Sequence, residues 1–208
     1  MEHNITFRPF RREDAANLED IIRKTWKYDC FCSPKTAKRL ARVYLANCCS
    51  NQTFTQVAVK DGRTVGVIMG RNKDKRPSKH FALRRLWSLL ALLSSREGRM
   101  AAKAFSHVDG VDQALLAEQK KDFQGELAFF VLSEDCRGTG IGKALFGRLL
   151  DYMKSQDIDN FYLYTDSSCN YGFYEHQGMV RRGEMICTLP IGVENKMSFF
   201  LYEYLPAH

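Results

Sequence analysis

The chain has 208 residues, 45% hydrophobic and 26% charged, a composition that belongs to a soluble globular protein and excludes disordered or collagen-like material. That length supports a core without stapling, and seven cysteines, an odd number containing an adjacent pair and a Cys-x-Cys, do not read as a disulfide framework. Formal net charge is +7, but residues 71–103 alone hold ten Lys and Arg against two acids, so the rest of the chain sums to about −1.

Cys30 and Cys32 lack the Cys-x-x-Cys or His-x-x-x-His partners of a zinc site, so free thiols, no metal and a reducing, cytoplasmic setting are expected. The opening Met1 to Ile5 shows no basic region followed by an apolar stretch, and secretion is not expected. Ile5 to Phe10 alternates as a strand, and Ala15, Leu18, Ile21, Ile22 and Trp26 recur at helical spacing after it. Ser33-Pro34 is an N-cap followed by proline at the first helical position, and Ala37, Leu40, Ala41, Tyr44 and Leu45 form the stripe of the second helix. Thr53 to Val59 and Thr64 to Met69 flank Asp61-Gly62, which predicts a hairpin.

From Asn72 to Lys121 the pattern becomes helical: a polar basic lead-in, a helix from His80 to Ser95, and another from Arg99 through Gln119. Leu86 to Ser95 is the longest uncharged stretch of this segment, half of what a bilayer span needs, so a packed helix with no membrane partner is expected ahead of a membrane-surface helix, a lid over a binding site being one form of that packing. Few aromatics interleave with the charges, which argues against nucleic acid as partner. Glu126 to Leu132 then reads as a central strand, followed by a glycine-rich loop, a helix from Ile141 to about Ser155, a strand at 161–165, a short helix at 171–177 ended by Gly178, and two late strands, 179–188 and 198–204.

Arg137-Gly138-Thr139-Gly140-Ile141-Gly142-Lys143 sits between that central strand and a helix. Glycines there admit a ligand to the backbone, and the first helical N–H groups form a site for phosphate oxygens. The loop is neither a P-loop nor a dinucleotide fingerprint. A strand-to-helix turn with no ligand is the plainer alternative.

Arg137-x-x-Gly140-x-Gly142 resembles the Q/R-x-x-G-x-G/A signature of the GNAT superfamily of N-acetyltransferases, and Phe173-Tyr174-Glu175-His176-Gln177-Gly178-Met179 is similar to its second signature. The two motifs span about a quarter of the chain, and the order of the remaining elements follows the family. The departure is an insertion of about fifty residues before the motif strand. The resemblance implies an α/β fold with a mixed central sheet flanked by helices, one acetyltransferase domain over 1–208 with a basic helical insertion at about 72–121, and a splayed central strand admitting the pantetheine arm.

It further implies acetyl-CoA as donor, an amine as acceptor and direct transfer. The amides from Arg137 through Gly138, Thr139, Gly140, Ile141 and Gly142 to Lys143 would hold the pyrophosphate, Leu132 would lie beside the pantetheine, and Phe173 belongs to the second cofactor-contacting motif. The family's Asn is replaced by Ser167, with Asn170 nearby, and either would supply its contact. Tyr174 is the implied acid toward the thiolate. Glu126 is the candidate base, its parity with Ala128, Phe130 and Leu132 placing it on the side of the thioester, against the alternative of a solvated strand-end carboxylate. Cys136 and Cys169 leave a covalent route as a lesser option. A non-catalytic acyl-CoA-binding domain is the alternative function. The basic insertion would suit an acidic acceptor, and the protein is expected to be a monomer or homodimer.

Overall fold

A computed structural model describes residues 4–76, 81–189 and 195–206. The elements in chain order are β1 (Ile5–Arg8), α1 (Ala15–Thr25), α2 (Pro34–Asn51), β2 (Phe54–Lys60), β3 (Arg63–Asn72), α3 (Ala82–Leu93), α4 (Arg96–Glu118), β4 (Gly125–Leu132), α5 (Ile141–Ser155), β5 (Phe161–Asp166), α6 (Gly172–His176), β6 (Val180–Leu189) and β7 (Asn195–Tyr204). The strands form one mixed sheet, β1-β2-β3-β4-β5-β7-β6, in which β4 and β5 are the parallel pair. The hairpin turns where expected, with Asp61 and Gly62 both at positive φ (49° and 78°), the geometry that an Asp-Gly pair adopts most readily. Ser33 caps α2 by accepting from the Thr36 amide at 3.4 Å. The expected helix start at His80 and the leader residues 1–3 lie outside the described residues. No helix among the described residues is long and apolar enough to cross a membrane.

Helices cover both faces of the sheet. On one face, α1 and α2 bury Leu18, Ile22, Leu40 and Leu45 against Val67, Met69, Phe129 and Val131. Toward the far edge of that face α4 sets Val111 and Leu115 against Tyr162, Phe199 and Leu201. Gly183 of β6 permits this approach, since a Cβ there would come within 3.1 Å of Leu115. On the other face α5 packs Leu145, Phe146 and Leu149 over Ile68, Leu127, Phe161 and Leu163. β4 is thus covered on both sides, as its nearly unbroken apolar run predicts.

The strand-helix entry of the fold is held by a buried carboxylate. Asp14, 1% exposed, accepts from both terminal nitrogens of Arg8 at 2.8 Å, from the Arg11 amide at 2.7 Å and from the Thr64 hydroxyl at 2.5 Å. Burial alone would raise its pKa, but the hydrogen bonds from Arg8, Thr64 and Arg11 outweigh that and lower it. The stabilisation is therefore complete above the ordinary carboxylate pKa and disappears as pH falls through the depressed folded value. Asp14→Ala should cost about 3 kcal/mol, because it strands Arg8 and Thr64, and should flatten the acid side of the stability curve. Urea denaturation between neutral and acidic pH measures both effects.

Candidate active site

β4 and β5 are parallel neighbours only at their start: their register is Gly125 with Phe161 and Glu126 with Tyr162. Beyond that point β4 continues to Leu132 without a partner on the β5 side, and the sheet opens into a gap. The glycine loop stands at the open end. Gly138 and Gly140 lie at φ +75° and +83°, and Gly140 is the N-cap of α5 with no side chain to cap it. The N–H groups of Ile141, Gly142 and Lys143 are left without acceptors among the described residues, at the positive end of a 15-residue helix. Thr139 is exposed, and its hydroxyl donates to the Cys136 carbonyl at 2.7 Å. Ile141 is buried, so it offers its amide alone, while the side chains of Arg137 and Lys143 are exposed.

A Cβ on Gly142 would sit 3.6 Å from Phe130, 3.7 Å from Phe173 and 3.8 Å from Leu132, so the loop closes directly over the open half of β4. Leu132, Phe173 and the loop, singled out separately in the sequence, therefore meet at one place. Gly140→Ala should cost about 1–2 kcal/mol, the penalty of a side chain in the left-handed region, whereas Gly142 lacks a positive φ and its alanine variant should fold normally. Urea midpoints of the two variants test this.

Glu126 departs from expectation in the face it uses. Met69 pairs with Phe129 and Gly70 with Leu127, leaving Ala128 without a partner in β3, a bulge that reverses the alternation. Leu127, Phe130 and Leu132 consequently face α5, and Phe129 and Val131 face α1 and α2. Glu126, opposite Arg71 and alternating with Leu127, lies on the latter face, across the sheet from Phe130 and Leu132 rather than beside them. Parity counting fails here because it assumes an unbroken ladder.

The surroundings of Glu126 are polar and enclosed. Burial raises its pKa, opposed by Arg71, whose guanidinium stands 4.0 Å away, by the Tyr162 phenol and by Lys73. Asp112 of α4 joins it: burial first, then Asp109, Asp166 and Glu126, push this carboxyl up to about 7. Its Oδ1 and the Nε of Arg71 are buried without a hydrogen-bond partner among the described residues. Asp112 was not legible as a site residue. Nothing in α4's own sequence says that its Asp112 turn overlies β4 and β5.

Tyr174 of α6 packs edge-on to Phe173, at 5.5 Å, and near Tyr202, at 6.1 Å. Phe173 in turn rests on Phe130 at 5.5 Å, which fixes α6 against the open half of β4. Burial, then Cys169 and Asp166, raise the Tyr174 phenol, so it stays protonated across the ordinary pH range. Ser167 is engaged structurally, accepting from the Ser198 amide at 3.2 Å, whereas the exposed Asn170 side chain makes no hydrogen bond among the described residues. Cys136 is 0% exposed, which removes it as a nucleophile. The Cys169 thiol is pushed up to about 12 by burial and by Asp166, and the thiolate a covalent route needs is suppressed. Among the described residues no group of three or more His, Cys, Asp or Glu is placed to hold a metal.

The profile of the Acetyltransferase (GNAT) family matches residues 18–179. Searching curated proteins returns no match. Among solved structures, PH1933 from Pyrococcus horikoshii is similar at TM-score 0.61 and 16% identity, over 99% of this chain and 100% of that one. Ribosomal-protein-alanine N-acetyltransferase from Brucella melitensis is similar at TM-score 0.57 and 14% identity, over 97% and 99%. An acetyltransferase of the GNAT family from Streptococcus pneumoniae is similar at TM-score 0.54 and 16% identity, over 98% and 100%. At these identities the structural likeness speaks to the fold, and the family profile carries the assignment. With a mixed sheet parted between β4 and β5, a glycine loop at the α5 N-terminus and a matching profile over most of its length, the chain belongs to the GNAT family of acetyltransferases.

Proposed function

We propose that the protein transfers acetyl from acetyl-CoA directly to a primary amine, with the donor entering on the α5 side of the gap and the acceptor on the α1, α2 and α4 side. The observation that carries this is the parting of β4 from β5 directly under the uncapped start of α5. Uncapped amides suit a pyrophosphate, and the unpaired edge of β4 near Leu132 suits an amide-bearing pantetheine arm. Arg137 and Lys143 add positive charge from the exposed rim, and Asn170 or Ser167, both exposed, supplies the further cofactor contact.

Glu126 takes a proton from the ammonium, the amine nitrogen forms its bond to the thioester carbonyl carbon, and the C–S bond breaks as Tyr174 gives its proton to the sulfur. Opposite faces are no obstacle to this division of labour, because the gap joins them.

The acceptor side calls for a cationic amine rather than the acidic acceptor expected from the basic segment. Asp109, Asp166 and Glu126 all act on Asp112 there, while Arg71 and Lys73 act on Glu126. Arg84, by contrast, is spent on Glu19, and Arg99 reaches the Leu93 carbonyl. Asp112→Asn should raise KM for the amine about fivefold, the weight of one partly buried ion pair, with kcat and acetyl-CoA affinity little changed. The seven cysteines are free thiols, in keeping with a reducing, cytoplasmic setting.

Calorimetric titration of acetyl-CoA, with CoA and ATP as controls, followed by an amine screen for thiol release, tests the whole proposal. Micromolar binding that needs the pantetheine arm, together with thiol release, supports it. Binding without release from any amine favours the acyl-CoA-binding alternative, and absence of binding reduces the loop to a turn.

A further inference from the structure

The helical pair between β3 and β4 carries a feature unrelated to acetyl transfer. α3 is packed inside out. The side chains it turns toward the body are Arg84, paired with Glu19 at 3.1 Å, and the buried Ser88 and Leu92. Leu89 and Leu93 are half-buried at its flank, and four apolar residues go the opposite way: Leu83 is 70% exposed, Leu86 51%, Trp87 69% and Leu90 50%. At about 100° per residue these four fall within one arc of about 100°, a continuous stripe along the helix. Single exposed apolar side chains are ordinary, but a stripe of three leucines and a tryptophan at this spacing marks a surface that something covers. The expectation that these residues pack into the body is therefore corrected. The inner face is occupied by Phe81, Arg84, Ser88 and Leu92, and no hydrophobic cluster among the described residues takes in the outer four.

The charge around the stripe selects its occupant. Residues 71–103 carry ten basic side chains against two acids, and on the following helix α4 Arg96 and Lys103 are exposed one turn either side of the exposed Met100. Of the two acids, Glu97 is turned to Ser33 and Thr36, accepting from the Ser33 amide at 2.7 Å. A second copy docked through the same face would bring two such segments together, and their repulsion opposes it. An anionic bilayer surface offers both complements at once, an apolar boundary for leucine and tryptophan and phosphate for arginine and lysine. A helix of 12 residues is about 18 Å long, too short to span and suited to lying in the plane. We propose that α3 docks the protein on the surface of an anionic bilayer, with Leu83, Leu86, Trp87 and Leu90 entering the headgroup boundary and the neighbouring basic side chains meeting lipid phosphate.

The test is vesicle binding by the full chain, which reads independently of acetyl transfer. Vesicles of phosphatidylcholine with about 30% phosphatidylserine should bind at least about tenfold more tightly than phosphatidylcholine alone, and binding should fall away at about 0.5 M salt. Trp87 emission should shift to the blue on binding, and Trp87→Phe should remove that shift while leaving binding largely intact. Leu86→Gln with Leu90→Gln should weaken binding about tenfold and move the unfolding midpoint little, since both side chains are half exposed. Should that pair disturb folding, Arg96→Glu with Lys103→Glu serves the same purpose through charge. Failure to bind the anionic vesicles at low salt overturns the proposal. So does binding that ignores lipid charge and the leucine pair, or sedimentation showing a dimer that the leucine pair dissolves, which would make the stripe a contact between copies. If an acidic protein is the true partner, the vesicles will not bind and the proposal falls in the same way.

Discussion

Glu126→Gln should lower kcat/KM for the amine by about 10²–10³-fold, the usual weight of a positioned general base, while acetyl-CoA binds as before. The amide keeps the shape and the neighbours of Glu126 but accepts no proton. The pH profile separates this role from a structural one. Activity that depends on ionised Glu126 rises with pH through a carboxyl already displaced upward by burial, and Arg71 opposes that displacement from 4.0 Å. Arg71→Gln should therefore move the acid limb to higher pH with the plateau largely retained. Loss of rate at all pH values with an unmoved limb would show that Arg71 serves the fold or the acceptor, and a Glu126→Gln enzyme of undiminished rate would remove Glu126 from the mechanism. Through the gap between β4 and β5, a base on the face away from Phe130 and Leu132 would still have a route to the reacting atoms.

Tyr174→Phe should reduce kcat by about 10²-fold with acetyl-CoA affinity unchanged, because the ring packing against Phe173 and Tyr202 is kept and the proton donor alone is removed. The phenol is held protonated by burial and by Cys169 and Asp166 nearby, which suits an acid that must give its proton to a departing thiolate. Acceptors compared under single-turnover conditions read the chemical step directly. Undiminished turnover would sink the acid role and leave Tyr174 as a packing residue.

Most elements could be read from local patterns because local chemistry decides them. Ser33-Pro34 starts α2, Asp61-Gly62 turns the hairpin, and glycines at 138, 140 and 178 adopt the positive φ their positions require. The glycine loop at 137–143 and the Phe173-Tyr174 motif were legible for the same reason, since each is a contiguous run of residues. The side of the sheet that Glu126 faces was not. It depends on a bulge at Ala128 that exists only where β3 pairs with β4.

Residue periodicity and glycine spacing by themselves determined where strands and helices run and where the glycine loop sits, as these follow from spacing within a few residues. Only the tertiary structure decided which surfaces meet. It carried Asp112 on α4 to the carboxylates at 126 and 166 through contacts with β6 and β7, and it turned the apolar stripe of α3 outward. Both outcomes depend on packing between segments distant in the chain. A helix's spacing names its faces but leaves open which one is buried, until the partner that buries it is in place.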